Sequence, residues 1–348
     1  MLNRRNVLRM LGTGTALGLP QGAWPIVPAF AQGARSVTVN IVSNTSGVQV
    51  PYVAMLNDIF PKMQGYGPVK FDRVVKQENL TQAVLTGTVE IAGADALSVM
   101  RAAEAGADLK IIGNAYVQPS VALVVNAERV QTEKDLEKPG ITWATNSPLD
   151  FLYMAVVRPL ENAGVDMSKV NTITIGGSSN RLRALIAGKV DAVPVHIDQA
   201  LALTKNPKFK ILIKPWQAWH EYLAEVWLVS SDWLSKPKND RLAVDFLKSM
   251  MIAFRKANTD SAWYAAAYRT YCTNPEAKSA SAEEVEQIRR IFADEIGSWP
   301  KDMGHSLSTY ERLVPIWKKY GAVRGTANLQ SLVNTKYSDQ AIKELSAV

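Results

Sequence analysis

The sequence contains few of the residues that bind metals or form cross-links. It has one cysteine, Cys272, and three histidines, His196, His220 and His305. One cysteine cannot form an intramolecular disulfide, and the aromatic neighbours of Cys272 are typical of a buried packing thiol. There is no His-Glu-x-x-His motif, cysteine pair or Gly-x-Ser-x-Gly motif. We therefore expect no metal site, no cofactor and no catalytic residues.

Clustered charge and long apolar runs are also scarce. The formal net charge of +7 comes from 39 basic and 32 acidic residues, and the basic residues are scattered. Scattered basic residues argue against a nucleic-acid partner. No apolar run after the N-terminal segment approaches the length of a membrane span, so we expect no direct membrane insertion.

Residues 1–31 have the order of parts found in an export signal peptide. Arg4 and Arg5 form a charged head, a weakly apolar stretch follows, and Ala29-Phe30-Ala31 supplies a small-x-small cleavage pattern. The arginine pair resembles the twin-arginine type of signal. Asn3 stands where that type usually has Ser or Thr, which leaves ordinary export open. The sequence thus predicts a periplasmic protein, exported by the twin-arginine route.

Short strands and helices alternate after this segment, and part of the pattern occurs twice. A shift of 101 residues superimposes Ala83 on Ala184, and both copies read Ala-x-x-x-Gly-x-Val followed by an acid. Alternating strands and helices predict an α/β fold with largely parallel sheets. The repeat predicts two related lobes.

Two continuous apolar runs, 121–125 and 226–229, bracket the second copy and are typical of buried crossing strands. They predict that the chain leaves the first lobe, builds the second and returns. We assign residues 35–124 plus 228–348 to lobe 1, which includes extra C-terminal helices, and residues 125–227 to lobe 2.

Four segments in this order resemble the periplasmic substrate-binding proteins of nitrate/sulfonate/taurine-type ABC transporters, a group related to thiamine-pyrimidine-synthase-like proteins. The segments are 87–93 with 102–107, 135–141 leading into 147–150, 176–182 with 187–192, and 332–337. The resemblance implies a type II, two-lobed periplasmic-binding-protein fold, in which each lobe is a mixed, mostly parallel sheet flanked by helices.

The resemblance also implies a function. A monomeric receptor would capture a small organic solute, sulfonate- or taurine-like or heterocyclic, by hinge closure and deliver it to the membrane permease of an ABC transporter. Two alternatives stay open. One is an enzyme on the same fold, desulfinase-like or related to pyrimidine precursors, and the other is a periplasmic sensor partner.

In such a fold the ligand lies between the lobes, near carboxyl ends of strands and N-termini of helices. Helix N-termini favour anions, whereas unpaired acids beside them would repel an anion. An amino-sulfonate or a pyrimidine-like heterocycle therefore fits better than nitrate. Capping of helices is the alternative role for several of these residues. The predicted ligand-binding residues are Ser43, Asn44, Thr45, Gln49, Asp95, Gln118, Ser120, Asn146, Ser147, Asp150, His196, Asp198 and Trp227.

Overall fold

A computed structural model describes residues 34–74, 77–147 and 149–347, and in these ranges ten strands form two five-stranded sheets. The predicted export signal lies outside the described residues. The strands are Thr38–Val42 (β1), Lys70–Val74 (β2), Ile91–Asp95 (β3), Leu109–Val117 (β4), Val121–Asn126 (β5), Trp143–Thr145 (β6), Thr172–Thr174 (β7), Ala192–His196 (β8), Phe209–Ile213 (β9) and Leu223–Ser230 (β10).

Helices cover both sheets. The α-helices are Val50–Ala54 (α1), Gln77–Leu85 (α2), Ala96–Glu104 (α3), Phe151–Asn162 (α4), Ser178–Ile186 (α5), Ile197–Leu203 (α6), Ser231–Leu234 (α7), Pro237–Thr259 (α8), Ser261–Tyr271 (α9), Ala282–Arg290 (α10), Leu307–Lys319 (α11), Leu329–Leu332 (α12) and Lys336–Ser346 (α13). Short 3₁₀ segments include Gly47–Gln49 and Pro275–Lys278. None of the described helices has the length and apolarity needed to span a bilayer.

The two sheets have the same design. Their strand orders are β2-β1-β3-β10-β4 and β7-β6-β8-β5-β9. In each sheet three neighbouring strands are parallel, and the fourth strand in the order runs antiparallel to both of its neighbours. The predicted α/β fold with mixed, mostly parallel sheets is therefore confirmed. Parallel strands joined by helical crossovers have helices on the faces of their sheet, as both sheets have here.

The repeat at a shift of 101 corresponds to equivalent elements. Helices α2 and α5 begin and end 101 residues apart, and so do strands β3 and β8. Gly87 and Gly188 follow the two helices with φ of 69° and 66°, the left-handed conformation that glycine adopts most readily. Each strand begins two residues after the valine of the repeated pattern, and Asp95 and His196 are the last residues of the two strands.

The chain changes sheets at two places. β5 lies wholly in the second sheet and β10 wholly in the first, so the crossings run between Val117 and Val121 and between Ile213 and Leu223. The predicted boundaries at 124 and 228 fall inside these two strands, and the division into lobes at these residues stays a prediction. β5 is buried along its whole length and β10 along all but its last residue, and each pairs with a strand on both sides.

The C-terminal helices pack around the first sheet. Helix α8 buries Phe246, Leu247, Met250 and Phe254, the apolar face that the sequence spacing predicts. Trp227 of β10 lies in this core, with its ring edge-on to Tyr52 and Phe246 at centroid distances of 5.5 and 5.0 Å. Aromatic side chains of this size account for much of the apolar surface that the fold buries.

Candidate functional site

A polar cleft lies between the lobes, where several parallel strands end. Residues after β1, β6 and β7 and the last residue of β8 converge there, as expected for binding sites in open α/β sheets. The cleft has a volume of about 80 Å³. It is lined by Val42, Ser43, Asn44, Ser46, Gln49, Asn146, Phe151, Leu152, Gly177, Ser178, Arg181, His196, Gln199, Glu225 and Asn274.

Five of the predicted binding residues line this cleft. They are Ser43, Asn44, Gln49, Asn146 and His196. Asn146 donates from Nδ2 to Asp150 (2.6 Å), and its Oδ1 accepts from the backbone N–H of Gly177 (3.0 Å). These two bonds fix the orientation of the Asn146 side chain at the N-terminus of helix α5.

The predicted acids Asp95 and Asp150 lie just outside the cleft lining and cap helices. Asp95 accepts from the N–H groups of Leu97 and Ser98 at the start of α3. Asp150, rather than Ser147, is the N-cap of α4 and accepts from Tyr153 N–H (2.8 Å). Burial raises the pKa of both carboxyls, to about 6 for Asp95. Capping, the alternative that the sequence left open, is what both side chains do.

The remaining predicted residues also lie outside the lining. Thr45 donates its N–H to Thr273 Oγ1 (2.9 Å), and Gln118 and Ser120 belong to the first crossing between the sheets. Ser147 follows β6, and its carbonyl accepts from Thr145 Oγ1. Trp227 is fully buried in the core of the first lobe. Their part in ligand binding stays a prediction.

Arg181 is the most distinctive side chain of the cleft, although it is not among the predicted binding residues. It is fully buried, and its guanidinium donates to the carbonyls of Pro194 (3.1 Å) and Ile175 (3.3 Å), to Asn146 Oδ1 (3.2 Å) and to Ser178 Oγ (3.1 Å). These partners are all neutral, and none of the ion pairs among the described residues involves Arg181. Burial lowers its pKa to about 10, so it stays charged at neutral pH.

A comparison of the two repeats offers a signal for Arg181. The shift of 101 places Arg181 opposite Leu80, and both side chains are fully buried on equivalent helices. An arginine that replaces a core leucine in one copy of a repeat is unexpected on packing grounds alone, because an unpaired charge is costly to bury. Such a position is a candidate for function.

Glu225 and His196 also line the cleft, and both are mainly uncharged at neutral pH. Burial raises the pKa of Glu225 to about 8, so its carboxyl is mostly protonated at pH 7. Burial, together with the nearby Arg181 charge, lowers the pKa of His196 to about 3. The neutral imidazole has one donor and one acceptor nitrogen. Arg181 is consequently the principal positive group among the residues that line the cleft.

Asp198 lies at the edge of the cleft and joins the two lobes. Its Oδ2 accepts from Gly47 N–H of the first lobe (2.7 Å) and from Asn274 Nδ2 (2.6 Å). The adjacent Gln199 donates to Asn274 Oδ1 (3.1 Å). Burial raises the pKa of Asp198 to about 6. We call this contact between α6 and residues 47 and 274 the α6 clasp.

The described residues at this site include neither a cluster suited to a metal ion nor a reactive thiol. The described residues contain no group of three or more His, Cys, Asp or Glu side chains placed to hold a metal ion. Cys272 is buried beside Asp198, with Sγ 3.9 Å from Oδ2, and does not line the cleft. Burial raises the pKa of its thiol to about 12, which keeps it in the unreactive protonated form.

Comparison with known proteins agrees with this architecture. The profile of the NMT1/THI5-like family matches residues 69–257, over half of the 348 residues. The chain belongs to the NMT1/THI5-like family. No curated protein matches its sequence.

Solved structures of low sequence identity share the fold. The ligand-binding component of an ABC-type import system from Staphylococcus aureus, with zinc bound, has 11% identity and a TM-score of 0.72 over 88% of this chain and 99% of that one. The alkanesulfonate-binding protein SsuA from Xanthomonas axonopodis pv. citri, bound to MOPS, has 17% identity and a TM-score of 0.63 over 88% and 99%. The periplasmic nitrate-binding protein NrtA from Synechocystis PCC 6803 has 10% identity and a TM-score of 0.69 over 90% and 89%.

A DszB mutant in complex with biphenyl-2-sulfinic acid also shares the fold, with 11% identity and a TM-score of 0.59 over 89% of this chain and 99% of that one. These likenesses confirm the predicted two-lobed architecture of the family member.

Proposed function

We propose that this protein is the periplasmic solute receptor of an ABC importer and that it captures a small organic anion between its lobes by hinge closure. The family membership and the ABC-type binding proteins among the structural neighbours support this role. Closure follows from geometry, because a ligand in the cleft contacts both lobes only when they are together.

The observation that favours an anionic solute is the buried, positively charged Arg181, whose hydrogen-bond partners are all neutral. Buried charges are normally paired, and Arg181 has no carboxylate partner among the described ion pairs. It orients Asn146 and Ser178, which line the cleft beside the N-terminus of α5. The N-cap of α5 is Gly177, which has no side chain to occupy the positive end of the helix dipole.

The volume of the cleft limits the size of the solute. About 80 Å³ is well below the roughly 300 Å³ at which ordinary ligand pockets begin. In this closed arrangement the cleft admits a solute of a few heavy atoms. Short alkanesulfonates and carboxylates fit this limit better than a heterocycle does, since a ring with its substituents would require the lobes to move apart.

The test compares Arg181→Met with Arg183→Met, which removes an exposed arginine from the same helix. Titration calorimetry and thermal shift with methanesulfonate, ethanesulfonate, propanoate and nitrate should show binding by the wild type and by Arg183→Met. Arg181→Met should lose at least tenfold in affinity, about 1.4 kcal/mol, and Arg181→Lys should recover part of it.

Equal binding by Arg181→Met, or no binding of any anion by the wild type, would contradict the proposal. The enzyme alternative is tested in the same samples. If the receptor proposal is right, ligand recovered after long incubation is chemically unchanged. Formation of sulfite or another product at a steady rate would favour the alternative that the DszB neighbour represents.

A further inference from the structure

We propose that a second cavity, on a different face of helix α6 from the cleft, binds a primary alkylammonium ion and that Asp198 is the residue that holds it. We call it the α6 cavity. Its volume of about 520 Å³ lies within the roughly 300–1,000 Å³ of ordinary ligand pockets. Its walls come from α6 of the second lobe and from α9, residues 274–280 and α10 of the C-terminal helices.

Helix α6 separates this cavity from the cleft. Asp198, Leu201 and Ala202 are spaced as i, i+3 and i+4, so they share one helix face, and all three line the α6 cavity. Gln199, on a neighbouring face, lines the cleft instead. Asn274 is the only residue that lines both spaces. The α6 cavity is therefore a site of its own rather than an extension of the cleft.

The side chain of Asp198 has an oxygen available for a ligand. It is 3% exposed and lines the α6 cavity. Oδ2 accepts both bonds of the α6 clasp, whereas Oδ1 accepts no hydrogen bond of normal geometry from the described residues. The backbone N–H groups of Asp198 and Gln199 are close enough to favour the ionised form, but they do not satisfy Oδ1. Since buried polar atoms are normally hydrogen-bonded, a ligand with a donor group is the partner that this oxygen lacks.

The carboxylate of Asp198 also has no cation beside it. Its pKa of about 6 leaves it mainly ionised at pH 7, and none of the ion pairs among the described residues involves it. The other charged residues of the lining are Lys205 and Glu284, which pair with each other, and the exposed Glu276. Three acids and one base thus line the cavity. A cation bound there would offset the cost of burying the unpaired charge.

The remaining walls indicate the shape of the cation. Tyr268 and Ile288 are buried and Leu201 is half-buried, and together they offer apolar surface to an alkyl chain. A primary ammonium has three N–H donors for Oδ1, whereas a quaternary ammonium has none. A primary alkylammonium therefore matches both the carboxylate and the apolar walls.

A ligand in this cavity should favour the closed arrangement. The cavity has walls from both lobes, because the C-terminal helices pack around the first sheet, so its occupant contacts both only when they are together. By linkage the same occupant should tighten anion binding in the cleft. This consequence rests on the proposed receptor function, whereas binding of the ammonium does not.

The experiment uses n-butylamine hydrochloride at pH 7, with 1-butanol as the matched neutral probe and tetramethylammonium chloride as a cation without N–H groups. In titration calorimetry, butylammonium should bind roughly tenfold or more tightly than either comparison probe. It should also raise the thermal unfolding midpoint. Equal binding of butylammonium and 1-butanol, or no binding of butylammonium, would overturn the proposal.

Two variants locate the site. Asp198→Asn keeps the size of the side chain but removes its charge, and it should lose roughly tenfold or more in affinity for butylammonium. Ala202→Trp fills the cavity and leaves the carboxylate in place, so it should abolish binding and stays informative if the asparagine variant opens the clasp. The matched controls are Glu283→Gln and Ala282→Trp, two exposed positions of α10 outside the lining, which should bind as wild type.

The outcomes separate this inference from the proposed function. Binding that survives both Asp198→Asn and Ala202→Trp, or that is lost in the cleft variant Glu225→Gln, would show that the ammonium binds elsewhere. The linkage is measured by titration of ethanesulfonate with and without saturating butylammonium, which should raise the affinity by roughly fivefold or more. An unchanged affinity would show that the cavity does not act on closure. If butylammonium binds and no anion does, the anion receptor fails and the ammonium site stands.

Discussion

At the scale of single residues, burial decides what each acid in and around the cleft can do. Sequence reasoning predicts that carboxylates beside an anion would repel it. In the structure Asp95 and Asp150 cap helices, Asp198 joins the lobes, and Glu225 is held largely in its neutral form. Four acids near one site are therefore compatible with an anion, because none of them presents an unpaired negative charge to it at neutral pH.

The raised pKa of Glu225 predicts a pH dependence of stability. A carboxyl whose pKa is about 8 in the native state and near 4.5 when unfolded keeps its proton in the native state over that window. The unfolded state loses the proton first, so the free energy of unfolding falls as the pH rises between these values. Asp95 and Asp198 contribute in the same direction only up to about pH 6.

Two buried histidines act in the opposite direction between pH 6 and 7. His196 and His305 have pKa values of about 3 and 4 in the native state and near 6.5 when unfolded, so they raise the free energy of unfolding as the pH rises. The effect of Glu225 is therefore measured as a difference: the free energy of unfolding of the wild type, relative to that of Glu225→Gln, should fall as the pH rises from 6 to 8. Urea unfolding at pH 6, 7 and 8 measures it, with Glu221→Gln, which removes a carboxyl that pairs with Arg312 outside the cleft, as the control. Parallel pH profiles of the wild type and Glu225→Gln would show that this carboxyl titrates normally.

At the scale of elements, helix α6 of the second lobe makes direct contacts with the first lobe. The α6 clasp joins this helix to Gly47, at the start of the 3₁₀ segment after β1, and to Asn274. Lys205, just after the helix, pairs with Glu284 of α10. A side chain at residue 47 would have a Cβ 2.7 Å from Phe292 Cε2, so glycine allows the close approach on which the clasp depends. These contacts stabilise the closed arrangement, and two of the residues that make them, Gln199 and Asn274, also line the cleft.

Removal of the clasp should weaken binding while the ligand contacts stay intact. Hydrogen bonds to charged groups contribute about 1.5–3 kcal/mol, so Asp198→Ala should lower the affinity for the wild-type ligand by roughly ten- to a hundredfold. Small-angle scattering should show a larger radius of gyration for the free variant, because the lobes open.

Asp166→Ala is the control, since this acid lies in the second lobe and bonds only locally, to Ser168 and Lys169. Unchanged affinity in Asp198→Ala would exclude Asp198 from closure as well as from the site.

At the scale of the whole molecule, the two lobes have the same strand arrangement, and each contains one strand that the chain enters directly from the other lobe. β5 and β10 occupy the same place in the two sheets, next to β8 and β3. Each is antiparallel to its neighbours because the chain enters it from the other lobe. The two crossings are the covalent links between the sheets, and they are the expected hinge. Movement there changes the cleft while each sheet keeps its own pairing.

The N-terminal arginine pair predicts the route by which the protein reaches the periplasm. Arg4→Lys combined with Arg5→Lys keeps the charge of the head but removes the pair, and it should abolish export if the signal is of the twin-arginine type. Immunoblots of periplasmic and cytoplasmic fractions measure the result, with Arg9→Lys as the control. Continued export of the double variant, or export in cells without the twin-arginine translocase, would indicate the ordinary route.

Much of the fold could be predicted from local sequence. The glycines that end α2 and α5 and the shared spacing locate the equivalent helices to within a few residues, because helix ends and glycine turns are local properties. Of the predicted binding residues, Ser43, Asn44, Gln49, Asn146 and His196 line the cleft, and their contact with a ligand stays a prediction. Four of them lie at the end of a strand or within two residues of it, and Gln49 lies in the short 3₁₀ segment after β1.

The sequence by itself determined the two repeated units, the export signal pattern and the family. Only the tertiary structure decided that Trp227 lies in the core, that Arg181 is buried among neutral hydrogen-bond partners, that Asp198 reaches Gly47 and that burial raises the pKa of Glu225. The physical reason is that burial and pairing depend on which surfaces meet when the chain folds. The contacting residues are 35 to 176 positions apart in the sequence, so no local pattern records them.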